Sequence, residues 1–176
     1  MAIRIIREEN DEILKKKSKD VDVIDDKIKE LIKDMIETAH KYNGVGLAAV
    51  QVGILKKVVI IDLYEEGLEP FVLINPYIIE QSGEQEVDEG CLSFPNKFAK
   101  VIRPKNITVK ALNEKGEKTT LKGEGLLAQA ISHEMDHLNG ELFIDKMLPG
   151  TLEIVTEEQK EEKKEERKNK SKGSKV

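Results

Sequence analysis

Several things are scarce or missing in this chain. Its 176 residues contain one cysteine, Cys91, so no disulfide can close within it, and a reduced thiol fits a cytoplasmic address. No apolar run approaches the roughly 18 residues that a membrane-spanning helix needs. The opening stretch Met1-Ala2-Ile3-Arg4-Ile5-Ile6-Arg7 lacks the apolar centre of a signal peptide, which again points to the cytoplasm. Positive charge is not in excess: the net charge of -5 argues against DNA or general nucleic-acid binding. There is no internal repeat. Histidine is rare, with three in all, so their placement carries information.

The length suits one domain with a sizeable core. Hydrophobic residues make up 39% and charged residues 36%, a heavily charged surface over an adequate core. A helix is expected from about Asp25 to Tyr42, because Ile28, Leu31, Ile32, Met35, Ile36, Ala39 and Tyr42 recur at helical spacing. Asp25 and Asp26 suit its start, and Asn43-Gly44 its end. His40, near that end, reads as a surface or packing residue. Lys57 to Leu63 reads as a buried strand. Phe71 to Ile74 and Tyr77 to Gln81 read as two strands split by Asn75-Pro76. Asn106 to Leu112 and Glu117 to Lys122 read as a hairpin around Asn113-Glu114-Lys115-Gly116. Gly125 then opens a second helix, stopped by Asn139-Gly140. Strands with a buried helix among them give an α+β class. The expected organisation is a single domain over 1–150, the unit to which any catalysis would belong, and a charged tail over 151–176. In the tail, Glu157 to Glu166 has spacings that support a solvated helix, and Arg167 to Lys175 is expected to fray.

The second helix carries His133-Glu134-Met135-Asp136-His137. Two histidines four apart leave the same helix face and can grip one divalent metal. The glutamate beside the first can take a proton from a metal-bound water, which is the equipment for hydrolysing a carbonyl compound. A catalytic metal needs a third ligand and an open position. Cys91, in Asp88-Glu89-Gly90-Cys91-Leu92-Ser93-Phe94-Pro95, has three readings: a small buried hydrophobe, a thiolate ligand, or a nucleophile. A third stretch, Gly44-Val45-Gly46-Leu47-Ala48-Ala49-Val50-Gln51-Val52-Gly53, has small residues that allow close backbone approach. It reads as a tight turn and packed strand with Gln51 outside, or as a site segment with Gln51 as its polar group. It fits no phosphate loop, having no Gly-Lys-Ser/Thr after it.

Together, Gly44-x-Gly46-Leu47-Ala48-Ala49-x-Gln51, Glu89-Gly90-Cys91-Leu92-Ser93 and His133-Glu134-x-Asp136-His137, in that order, closely resemble the three signature motifs of the peptide deformylase family. The similarity runs over roughly residues 3 to 148 and includes Asn75-Pro76 and the segment from Leu138 to Asp145. It implies antiparallel and mixed β-sheets wrapped around a central metal-binding α-helix. It implies that Cys91, His133 and His137 ligate one ion, with water in the fourth place. The ion is Fe2+ by resemblance, with Ni2+, Co2+ or Zn2+ able to substitute, whereas the donor set alone suggests zinc first. The implied reaction is hydrolysis of the N-formyl group of formylmethionine on nascent polypeptides, releasing formate. Glu134 is the implied base. The Gln51 amide and the Leu92 backbone N–H are the implied stabilisers of the oxyanion. Gly44, Val45, Gly46, Val87, Gly90, Leu126 and Ala130 are the implied substrate-binding positions. Glu89 and Arg103 are expected to form an ion pair behind the Cys91 loop, with Asp136 as a supporting or packing residue.

This sequence departs from the family pattern at three places. Val50 replaces a frequent proline, Gln129 a frequent apolar residue, and Phe98 a frequent arginine. The tail has two readings, a solvated segment or a ribosome-docking one through Arg167 to Lys175. Two other functions compete. A zincin-type metalloprotease shares His-Glu-x-x-His but would need Glu141, Asp145 or Glu153 as third ligand and would leave Cys91 and Gln51 without roles. A closed structural metal site would need a fourth protein ligand.

Overall fold

The computed structural model describes residues 2–63 and 66–173. A first helix, α1 (Asp26–Lys41), begins where the Asp25 carboxylate accepts from the Ile28 N–H at 3.0 Å. Its stripe of Leu31, Ile32, Met35 and Ala39 is buried, as the spacing predicts. Tyr42 is the exception: it stands just past the helix and is exposed.

Five strands form the larger sheet: β1 (Gly46–Ala48), β2 (Val58–Ile61), β3 (Phe71–Ser82), β6 (Asn106–Leu112) and β7 (Lys118–Glu124). They lie in the order β1-β2-β3-β6-β7, and every pairing is antiparallel. A smaller sheet holds β4 (Gln85–Cys91), β5 (Phe94–Arg103) and the two-residue β8 (Glu153–Ile154). Helix α2 (Leu126–Leu138) packs against β1, β2, β6 and β7 of the first sheet and against β5 of the second. That is the antiparallel sheet arrangement around a central helix that the resemblance implies.

β2 explains its own sequence. Val59 and Ile61 face the cluster that includes Ile131, Met135 and Leu138 of α2. Val58 and Ile60 face the cluster that includes Leu31 and Met35 of α1. A strand covered on both faces has no solvent side, so its pattern is a continuous apolar run. Each fully buried Ile or Val contributes roughly 1.5–3 kcal/mol.

Where two strands are expected across Asn75-Pro76, the structure has one. β3 continues through the dipeptide with a register shift between Ile74 and Tyr77. Asn75 takes φ 50°, a conformation its short polar side chain tolerates. Its amide donates to the Val21 carbonyl at 2.9 Å and accepts from the Val21 N–H at 2.8 Å, which pins the bulge. Pro76, lacking an N–H, is accommodated at such an irregularity.

The hairpin β4–β5 escaped the sequence reading. Its strand Gln-Glu-Val-Asp-Glu-Gly-Cys has little apolar alternation, because one of its inward residues is the charged Glu89. After α2, a short helix α3 (Phe143–Lys146) buries Phe143 beneath the smaller sheet's cluster. The last helix, α4 (Glu157–Gly173), is touched by Phe98, whose ring lies 5.6 Å from Lys163 Nζ. Of the stretch 167–175 expected to fray, 167–173 is helical and 174–175 lie outside the described residues.

Candidate metal centre and active site

Helix α2 is buried over nearly its whole length, and this places its two histidines inside the protein. Their Nε2 atoms are 3.1 Å apart. Cys91, at the end of β4, brings Sγ to 3.4 Å from His137 Nε2. The three donor atoms lie within 4.8 Å of one another, the only such grouping of His, Cys, Asp or Glu among the described residues. A tetrahedral ion with M–N near 2.0–2.1 Å and M–S near 2.3 Å has ligand–ligand edges of about 3.3–3.6 Å. The donor set therefore fits one borderline-soft cation. Glu134, between the histidines, supports that fit: its Oε1 is 3.9 Å from His133 Nε2, and its buried Oε2 has no partner among the described residues. Burial pushes the Glu134 carboxyl up to about 7, against the opposing pull of His133.

Gln51 does not point outside. It sits on a 3-10 turn (Ala49–Val52) and is 1% exposed. The Ala48 N–H donates to its Oε1 at 3.0 Å, which fixes the amide's orientation. Its Nε2 then faces Cys91 Sγ at 3.4 Å and Ser93 Oγ at 3.1 Å. Ser93 belongs to the Cys91 motif, but its part in holding the Gln51 amide shows only in the fold. Gly46 lies against Glu134: a Cβ there would stand 3.0 Å from Glu134 Cγ. Gly44 lies against the half-buried Leu92 in the same way, at 2.7 Å from Cδ1. The segment 44–46 thus lies between the Glu134 carboxylate and the Cys91 loop. Val45 and Leu126 are exposed, Ala130 is buried, and Val87 and Gly90 lie on β4. A Cβ on Gly90 would meet the Phe98 ring at 2.7 Å, so Phe98 closes over the hairpin.

Behind the donors is a charged network. His133 Nδ1 contacts Glu89 Oε1. Arg103 Nε donates to Glu89 Oε2 at 2.9 Å, and Nη2 contacts Oε1. Arg103 Nη1 reaches Ser132 Oγ at 3.3 Å and Asp136 Oδ2 at 2.5 Å. Burial alone would raise the Glu89 carboxyl, but the hydrogen bonds from His133 and Arg103 outweigh it and hold it down at about 2. The Glu89–Arg103 pair was legible by resemblance. Ser132 and Lys146, which bonds Asp136, were not, because both are ordinary helix residues until the fold brings them in. His40 stands outside the metal cluster: it contacts the buried Asp62 carboxylate, a partner 22 positions away in sequence.

Of the three departures, Val50 is buried in the core beside Ala48 and Val59. Gln129 Nε2 donates to the Asp88 carbonyl at 3.2 Å, so its polar end is spent on the hairpin.

An α+β fold wrapped around a His-Glu-x-x-His helix, with a cysteine as third donor, defines a metal-dependent hydrolase. The family model of polypeptide deformylase matches residues 3–152. The chain is 57% identical over 148 residues to the peptide deformylase of Acetivibrio thermocellus, covering 84% of this chain and 85% of that protein. It is 54% identical over 146 residues to peptide deformylase 2 of Clostridium acetobutylicum, covering 82% and 95%. Among solved structures, the peptide deformylase of Legionella pneumophila matches with a TM-score of 0.81 at 43% identity, covering 84% of this chain and 87% of that one. The Thermotoga maritima enzyme matches with a TM-score of 0.80 at 42% identity, covering 84% and 99%. The chain belongs to the polypeptide deformylase family.

Proposed function

We propose that this chain removes the formyl group from the N-terminal methionine of nascent polypeptides in the cytoplasm, with Cys91, His133 and His137 holding one Fe2+ ion that Ni2+, Co2+ or Zn2+ can replace. The observation that carries the reading is the convergence of the Gln51 amide and the Glu134 carboxylate on the Cys/His/His cluster. A bound ion supplies Lewis acidity and a low-pKa water. Glu134, beside the cluster, would accept the proton of the attacking water as the C–O bond to the formyl carbon forms. Gln51 Nε2–H and the Leu92 N–H donate to the oxygen that becomes negative. Glu134 then delivers the proton to the departing nitrogen as the C–N bond breaks, leaving formate and a free amine.

The methionine side chain sits among Val45, Val87, Leu126 and Ala130, and the peptide backbone pairs with Gly44 and Gly46 as an added strand beside Gly90. That pairing reads backbone, which suits a substrate with any sequence after methionine. The catalytic unit is 1–150. The tail 151–176 is the part that would meet the ribosome through the basic end of α4, and removing 157–176 should then abolish cosedimentation with ribosomes. No helix among the described residues is long and apolar enough to cross a membrane.

The test is formate release from formyl-Met-Ala-Ser by protein loaded anaerobically with ferrous iron. Glu134→Ala should keep its ion and lose about 10²–10⁴-fold in rate, the usual worth of a general base. Cleavage of an unformylated internal peptide bond instead of formate release would sink this reading in favour of a metalloprotease.

A further inference from the structure

The buried network behind His133 is unbalanced as far as Arg103. One guanidinium serves two carboxylates, Glu89 and Asp136, and all three side chains are between 1% and 12% exposed. The balance is restored from outside. Lys146 Nζ stands 2.9 Å from Asp136 Oδ1 and 3.3 Å from Glu141 Oε2. Lys146 ends α3, whose first residue, Phe143, is 1% exposed and packs its ring 6.2 Å from that of His133 and 5.4 Å from that of Phe94. The turn itself is held by the Leu142 N–H donating to Asp145 Oδ2 at 3.0 Å.

We propose that Lys146 is a positioning residue that latches α3 onto α2 through Asp136 and thereby sets how tightly His133 holds the ion. The inference rests on the metal reading of Cys91, His133 and His137. Two routes connect the latch to the imidazole. In the first, Lys146 neutralises Asp136, so Arg103 is not drawn from Glu89 and Glu89 stays aligned on His133 Nδ1. That hydrogen bond orients the ring so that Nε2 faces the donor cluster. In the second, the latch keeps Phe143 packed beside the same ring. Without the ammonium, Arg103 is shared between two poorly solvated carboxylates, and the alignment of His133 loosens.

Partners that directly touch a ligand alter metal affinity by about 10- to 100-fold, so a residue further out should alter release by about 3- to 10-fold. The experiment uses the full chain loaded with one equivalent of Co2+, with release into a chelator followed by the thiolate–cobalt absorption. Lys146→Met should release cobalt about 3- to 10-fold faster and shift the ligand-field bands. Lys146→Arg should restore both. Lys57→Met, which removes the surface pair with Asp20, should change neither. Far-UV circular dichroism melts check that the 42%-exposed Lys146 side chain is dispensable for folding. Release within twofold of the parent overturns the latch, as does acceleration that arginine fails to reverse or that Lys57→Met reproduces. If the parent takes up no cobalt, the metal reading itself fails and the latch with it. One cobalt bound, with equal release rates in parent and Lys146→Met, defeats the latch alone.

Discussion

Arg103 grips Glu89 through two nitrogens while their side chains are 1% and 3% exposed. A bidentate pair this deep stabilises less by attraction than by what its loss would leave behind, an unpaired buried carboxylate. Arg103→Met should therefore destabilise the protein by about 3–5 kcal/mol, read from urea unfolding of the metal-free chain. A loss below about 1 kcal/mol would mean that Glu89 finds water or protonates at little cost.

Gly46 occupies a ladder position opposite Ile61 and has room for hydrogen only on the side of Glu134. Gly46→Ala places a methyl 3.0 Å from Glu134 Cγ and 3.1 Å from Oε1. Displacing Glu134, the proposed base, by a fraction of an ångström should lower kcat about 10- to 100-fold. Metal content, measured by elemental analysis, should stay at the parent level. Full kcat in this variant would show that Glu134 has slack.

Cys91 is the sole thiol, and its Sγ is the donor that joins the hairpin to α2. Removing it in Cys91→Ala leaves two imidazoles, and equilibrium dialysis should show metal affinity falling by more than the roughly 10- to 100-fold that outer partners are worth. Parent-like affinity would return Cys91 to the role of a small packing residue.

Gly140 tests the end of the metal-binding helix. It has φ 72°, and a Cβ there would stand 2.4 Å from the Lys15 carbonyl oxygen, a backbone atom with no easy retreat. Gly140→Ala should cost about 2–4 kcal/mol, the sum of left-handed strain and a forced shift. Gly150 has φ 75° but nothing within 4 Å, so Gly150→Ala should cost only about 1–2 kcal/mol. Equal losses in urea unfolding would contradict the steric account.

The parts of the fold that were readable are those whose signal is local. The stripe of α1, the run of β2, the hairpin β6–β7 and the stop at Asn139-Gly140 each follow from spacing or turn chemistry within a few residues. β4 was not readable, since it places a charged residue, Glu89, inside the protein, which no alternation rule anticipates. The continuity of β3 was missed for a related reason: Asn75 interrupts the strand locally, and the bonds that hold the bulge come from Val21.

The sequence by itself determined the chemistry on offer: two histidines one helical turn apart, a glutamate beside the first, a single thiol, and an amide in a small-residue segment. Their identities and order were enough to place the chain in its family. Only the tertiary structure decided how these groups are aimed. Gln51 faces the thiol because the Ala48 N–H claims its oxygen, and His133 Nδ1 meets a Glu89 carboxylate that Arg103, from a separate strand, holds in place. A hydrogen bond between residues far apart in the chain leaves no periodic trace in sequence, since the side chains that make it are free to come from any element that packing brings within 3 Å or so.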